Sequence, residues 1–401
     1  MKISEDRVLT SHVGSLPRSQ ELLDMLVKME AGEDVDREAF RERVAQDLDE
    51  IIRLQFEAGI DIGGEGELPR IGFSNYVKDR MTGFGGEGQR GAPMDYTRFP
   101  KYLELKMQIR EDEQGQLAKT GSTYVLPEAQ DRVVYDSELV AVKEEMELFA
   151  GGLARARENG KAFAETFVTA ATPGIVSTTL LRSKDNPAYA DDREYVMDLA
   201  RELRQEYEYV VEQGHVLQLD APDLAFERQL MFRERPLEEF LERFEMHIEA
   251  LNEALVNIPA DRVRLHVCWG NSDSPHFDDV DLEPLLSRLY EAQVGGISLP
   301  GANPRHQHEY KLFAKYPPPE SMAVIPGVID VSYNYLEHPE VVADRICNYA
   351  DAIGDPTRVI ASTDCGFGTF AGYTLVAEDV AWAKLGVLAE GAALATERLF
   401  S

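Results

Sequence analysis

His266 and Cys268 stand two residues apart at the end of a short apolar run, residues 263–268. On a strand, that spacing points both side chains to the same face. Cys365 follows another apolar run, residues 359–361, within Ser362-Thr363-Asp364-Cys365-Gly366. Two thiolates and one imidazole make a Cys₂His set, the kind that binds zinc and keeps a fourth position open for a substrate. A lone His-x-Cys reads equally well as a buried histidine beside inert core cysteines. Three such donors at the carboxyl ends of strands tip the reading to a metal. Cys347 lies in a helical pattern and reads as packing. His306-Gln307-His308-Glu309 carries metal-ligand residue types but reads better as a polar loop or helix start that orients its neighbours.

Carboxylates cluster at comparable places. Gly63-Gly64-Glu65-Gly66-Glu67 closes the second apolar run, Asp220 closes the fourth, and Asp330 closes the seventh. An acid directly after an apolar strand is rarely a core residue. Glu67, Asp220 and Asp330 are therefore the candidate catalytic carboxylates. The first run leads into Ser11-His12-Val13-Gly14-Ser15-Leu16-Pro17-Arg18. Gly14 and Ser15 permit close approach of the backbone to a ligand, and Arg18 can pair with a ligand carboxylate. Trp269, next to Cys268, joins Gly14, Ser15, Arg18, Glu67 and Asp220 as a candidate substrate contact.

Such groups converge only if the elements carrying them do. Eight β-type runs recur along the chain, at residues 8–13, 59–62, 162–170, 216–219, 263–268, 296–299, 322–329 and 359–361. Helical patterns separate most of them, at residues 21–29, 37–58, 193–213, 237–254, 282–292 and 339–353. In the second of these, Phe40, Val44, Leu48, Ile51, Ile52 and Leu54 recur mostly at three- and four-residue steps, the period of an amphipathic helix. Alternating strands and helices imply a parallel sheet, and eight units imply a closed (β/α)₈ TIM barrel with its chemistry at the strand carboxyl ends. An open doubly wound sheet is the rival, but no glycine-rich nucleotide signature follows the first strand. Residues 84–136 break the rhythm. They are rich in glycine and charge, read as short polar strands around Gln114-Gly115-Gln116, and form an insertion after strand two at the catalytic face. The expectation is one domain, residues 1–401, carrying that insertion.

The chain has 72 acidic and 41 basic residues, a formal charge of −31, which repels phosphate backbones and argues against nucleic acid as a partner. Three cysteines in 401 residues cannot build a disulfide framework, which points to a reducing cytoplasm. No apolar signal core opens the sequence and no run approaches the roughly 18 apolar residues of a membrane span. Self-association into a homo-oligomer stays open.

The motifs together resemble the cobalamin-independent methionine synthase family, in its short single-barrel branch matching the catalytic C-terminal half of the full-length enzymes. The resemblance runs through RVLTSHVGSLPR, GEGE with FSNYVKDRMTGF, LQLDAPDLA, HVCWGN, GANPRHQHEY, VIPGVIDVSYNYLEHPE and STDCGFGTFAG, nearly the whole chain. The same superfamily holds the zinc-dependent epoxyalkane:coenzyme M transferases. The resemblance implies that His266, Cys268 and Cys365 hold Zn²⁺, that Glu67 and Asp220 hold the amino group of homocysteine, and that Gly14 and Ser15 grip its carboxylate. It implies a 5-methyltetrahydropteroyltriglutamate–homocysteine S-methyltransferase type of reaction, a small homocysteine-like thiol accepting a methyl or alkyl group from a donor. Two departures stand out. Pro300 occupies the place of the family's fourth zinc ligand, a glutamate, and Ser332 that of a catalytic histidine. The N-terminal half that helps bind polyglutamyl folate has no counterpart in this sequence. The alternatives are an epoxide:thiol transferase and a degenerate barrel that binds a small ligand. Keeping Glu67 and Asp220 favours an amino-acid thiol.

Overall fold

The structure is a computed structural model that describes residues 1–88, 90–91, 93–113, 126–184 and 188–401. Among the described residues the ten strands are β1 (Leu9–Thr10), β2 (Ile62–Gly64), β3 (Met81–Gly85), β4 (Glu128–Tyr135), β5 (Glu165–Ala171), β6 (Val216–Asp220), β7 (Val263–His266), β8 (Gly296–Leu299), β9 (Ala323–Ile329) and β10 (Ile360–Thr363). Eight of them form one parallel sheet in the order β1-β10-β9-β8-β7-β6-β5-β2. The two ends, β1 and β2, meet through the Asp61 backbone. The Asp61 amide donates to the Thr10 carbonyl at 3.2 Å, the Thr10 amide to Asp61 Oδ2 at 3.0 Å, and Ser11 Oγ to the Ile62 carbonyl at 3.2 Å. The result is a nearly closed barrel ringed by helices, the TIM-barrel architecture that the alternation of elements implies.

Several helices start at a residue whose side chain caps the first turn. The helix Arg37–Glu57 starts at Asp36, whose side chain accepts from the amides of Glu38 and Ala39, and it buries Val44, Leu48, Ile51, Ile52 and Gln55 toward the barrel. Gln55 then closes a two-way amide bond with Gly64 at the end of β2 and meets His12 at 3.0 Å. Helix Val140–Glu158 falls where the sequence reading named none, because Gly151 and Gly152 interrupt its pattern. A Cβ on Gly152 would lie 2.7 Å from Ile52 Cδ1, so the glycine lets two helices approach closely.

Inside the barrel, Leu9, Ile62, Phe167, Val216, Ile325 and Ile360 form an apolar plug. Above it Arg264 is buried, 3.7 Å from the Phe167 ring centroid, donating to Gln218 Oε1, Ser11 Oγ and the His12 carbonyl. A buried charge persists when its polar atoms are hydrogen-bonded, and these bonds engage all three guanidinium nitrogens.

The insertion departs from the expected run of short strands. β3 and β4 pair antiparallel as a ribbon. Between them run helices Met94–Arg98 and Pro100–Glu113, while Gln114, Gly115 and Gln116 lie outside the described residues. Phe99, Leu103 and Met107 recur at four-residue steps, a helical spacing that the surrounding charge obscures. Asp95 accepts from the His276 amide at 2.8 Å and Tyr102 Oη donates to Asp273 at 3.0 Å. These bonds dock the insertion on the loop after β7.

Candidate metal and thiol site

His266 ends β7, Cys268 follows two residues later, and Cys365 lies two residues beyond the end of β10. The imidazole Nδ1 is 3.2 Å from Ser298 Oγ, leaving Nε2 buried with no partner. A ring nitrogen of His266 and the two sulfurs all lie within 4.8 Å of one another. The Cys365 thiol donates toward Cys268, and with His266 alongside this holds the Cys268 thiol well below its usual range. Cys365, as the donor, is raised. An orphaned imidazole nitrogen facing two thiols, one poised as thiolate, is a donor set that suits a borderline-soft divalent ion.

These groups floor a cleft of about 310 Å³ at the carboxyl ends of the strands. Ser15, Glu67 and Asp220 line the same cleft. Glu67 sits at φ +56°, a conformation that non-glycine residues rarely adopt outside functional sites. A Cβ on Gly14 would lie 2.6 Å from Glu67 Oε1 and 2.5 Å from Thr169 Cγ2, so only glycine fits there. Asp220 Oδ1 accepts from Gln218 Nε2 at 2.9 Å, and Arg264 orients Gln218 from the barrel interior. Burial raises the pKa of both Glu67 and Asp220. Glu67 Oε2 has no partner, as befits a group waiting for a cation. The outer wall is aromatic: Phe73, Tyr96, Phe226, Phe370 and Tyr373.

No protein-family profile matches the chain. The methionine synthase of Saccharolobus solfataricus is 23% identical over 401 residues, spanning 97% of this chain and 95% of the relative. That of Sulfolobus acidocaldarius is 25% identical over 392 residues, with 97% and 93% covered. That of Thermococcus kodakarensis is 26% identical over 360 residues, with 89% and 86% covered. The similarity to these methionine synthases runs along nearly the whole chain. Two solved structures share its fold. A B12-independent methionine synthase from Shewanella sp. W3-18-1, in complex with selenomethionine, superposes with a TM-score of 0.66 at 18% identity over 98% of this chain and 99% of that one. A putative vitamin-B12 independent methionine synthase from Listeria monocytogenes gives 0.62 at 17% identity, covering 96% and 98%.

The remaining candidate residues take different places. Arg18 does not line the cleft. Its guanidinium donates to the carbonyls of Leu68, Gly368, Glu67 and Arg70, tying three loops together, so the sequence-based pairing with a substrate carboxylate is corrected to a positioning role. Trp269 also stays out of the cleft: Nε1 donates to the Val280 carbonyl at 2.7 Å and the ring stacks on His306. Asp330 Oδ1 accepts from the Ser332 amide and hydroxyl, while Oδ2 is buried and unpaired. Asp330 and Pro300 line a small cavity of about 20 Å³ that also touches Cys268 and Cys365. Arg264 escaped the sequence reading, although it stands two residues before His266 and shares its strand face.

Glu65 carries a stability consequence. Burial pushes its carboxyl from the ordinary 4.5 up to about 7, with Arg70 partly opposing. The folded state therefore holds this proton more tightly than the unfolded chain, and the stability it contributes is lost as pH rises from about 4.5 to about 7. Glu65→Gln is expected to change little at acid pH and to stabilise at pH ~8 by up to ~3 kcal/mol. Denaturant unfolding at both pH values checks this, and an equal change at each would contradict it.

Proposed function

We propose that this chain transfers a methyl group to the sulfur of homocysteine, giving methionine, with a zinc ion held by His266, Cys268 and Cys365. One observation carries the reading: the unpaired His266 Nε2 and the two thiols converge on the floor of the cleft that Glu67 and Asp220 line. Zinc held by these residues would supply the lowering of the pKa of a substrate thiol, which free in water, with a pKa near ~8.5, is mostly protonated at neutral pH. The chain's own residues do the rest. Glu67 and Asp220 take the substrate ammonium by charge-assisted hydrogen bonds, and the backbone at Gly14 and Ser15 receives the carboxylate. Asp330, whose Oδ2 is unpaired and which lines the small cavity that both cysteines also line, accepts the thiol proton. The thiolate attacks the methyl carbon of the donor in line. The sulfur–carbon bond forms as the bond from that carbon to the leaving atom breaks, and the leaving group departs with the electron pair. The aromatic wall encloses the donor and excludes water.

The three cysteines are all free thiols, and among the described residues no helix is long and apolar enough to cross a membrane. The free thiols fit the reducing cytoplasm that the low cysteine count points to. Incubation of the zinc-loaded protein with homocysteine and 5-methyltetrahydropteroyltriglutamate tests the reading, with methionine the expected product. Failure to form it, together with alkylation of coenzyme M by an epoxide, would replace this reading with the epoxide:thiol transferase.

A further inference from the structure

A second cluster of metal-ligating side chains lies outside the thiol site. His276 and Asp279 belong to the loop after β7, and His306 to the loop after β8. His276 Nδ1 is 2.7 Å and His306 Nε2 is 2.9 Å from the same oxygen, Asp279 Oδ2. The outer nitrogen of each ring is committed. His276 Nε2 faces the Ser272 carbonyl at 3.1 Å, an oxygen that can only accept. His306 Nδ1 faces Glu309 Oε2 at 2.9 Å, while the other oxygen of that carboxylate accepts from the Leu282 amide. Both outer nitrogens therefore carry hydrogen. In the neutral tautomers, each inner nitrogen then turns a lone pair toward Asp279 Oδ2, itself a lone-pair donor.

Three converging lone pairs repel unless positive charge lies among them. Either both rings are protonated, placing two buried imidazolium ions side by side, or one divalent cation replaces both protons. We propose that His276, Asp279 and His306 form a second divalent-metal site, for an ion of the zinc class. A histidine whose outer nitrogen donates to a carboxylate or a backbone carbonyl is the usual arrangement around a metal, fixing ring and tautomer. Both rings have it. Asp279 Oδ1 accepts from Gln229 Nε2 at 2.6 Å, leaving Oδ2 as the single ligand oxygen. Both histidines line a cavity of about 20 Å³, room for one water as a fourth ligand. His308, the other imidazole of the His-x-His pair, is exposed and takes no part. The bound ion would fasten the β7 and β8 loops together beneath Trp269, and through the bond from the His276 amide to Asp95 it would anchor the insertion.

Zinc alone is the probe. The protein is loaded with it, freed of unbound metal by gel filtration and analysed for elemental content beside two double variants. The native chain should hold about two zinc ions, and Cys268→Ser with Cys365→Ser, or His276→Gln with His306→Gln, about one each. Retention of about one zinc by the cysteine variant supports the second site whatever becomes of the proposed methyl transfer. A cysteine variant with none overturns it and leaves a pair of protonated histidines. Should the histidine variant fail to fold, cobalt loading of the cysteine variant decides. A visible d–d band without thiolate charge transfer supports the site, and its absence overturns it.

Discussion

Replacing Cys268 and Cys365 together with serine is expected to empty the thiol site and to lower methionine formation by about 10³-fold or more. The size follows from what the ion contributes: activation of a thiol by a bound metal is worth several kcal/mol, and each ~1.4 kcal/mol is a factor of ten. Serine is nearly isosteric and the two positions lie at loop starts, so circular dichroism of the variant should match that of the native chain. Steady-state methyl transfer measured beside the metal content checks the expectation, and activity within about tenfold of native would show that the thiols are not its source. Pro300 refines the same prediction. It borders the small cavity that both cysteines also line, at the place where the resemblance implies a carboxylate ligand. Pro300→Glu should tighten zinc at this site by roughly 10-fold or more, the scale on which ligand surroundings tune metal affinity. Competition with a coloured chelator reads it, and unchanged affinity would mean that the loop holds position 300 out of reach.

The second large effect falls on substrate binding. Glu67→Gln should raise the homocysteine KM by roughly ten- to a hundredfold, since each hydrogen bond to a charged group is worth ~1.5–3 kcal/mol. Its pH dependence has a definite sign. Burial raises the carboxyls of Glu67 and Asp220, so in the free protein part of each population is neutral where an exposed acid would be ionised. Only the ionised form attracts an ammonium group. Homocysteine affinity therefore increases as pH rises through that elevated range, and Glu67→Gln should flatten the rise. Binding measured by calorimetry across pH checks both points. An unaltered KM, with methyl transfer otherwise intact, would remove the amino-acid thiol from consideration.

What could be read without the fold is what depends on neighbours in sequence. Strand runs ending in Asp220, His266 and Asp330 are visible because apolar residues cluster before them, and His266 and Cys268 share a face because a strand repeats every two residues. The helix Arg37–Glu57 is legible from its three- and four-residue steps. Helix Val140–Glu158 is not, because the glycines that weaken its pattern serve a contact with Ile52. Arg18 illustrates the same limit in chemistry. Its charge invites a carboxylate, yet four carbonyls from loops some 50 and 350 residues away consume it. Sequence by itself determined the kinds of donors and the strand ends that present them. Only the closed barrel decided that Cys365 meets Cys268, that Arg264 supports Asp220 through Gln218, and that His276 and His306 share Asp279. Those meetings are made by long-range strand register and loop packing, and no local period encodes which distant side chain arrives.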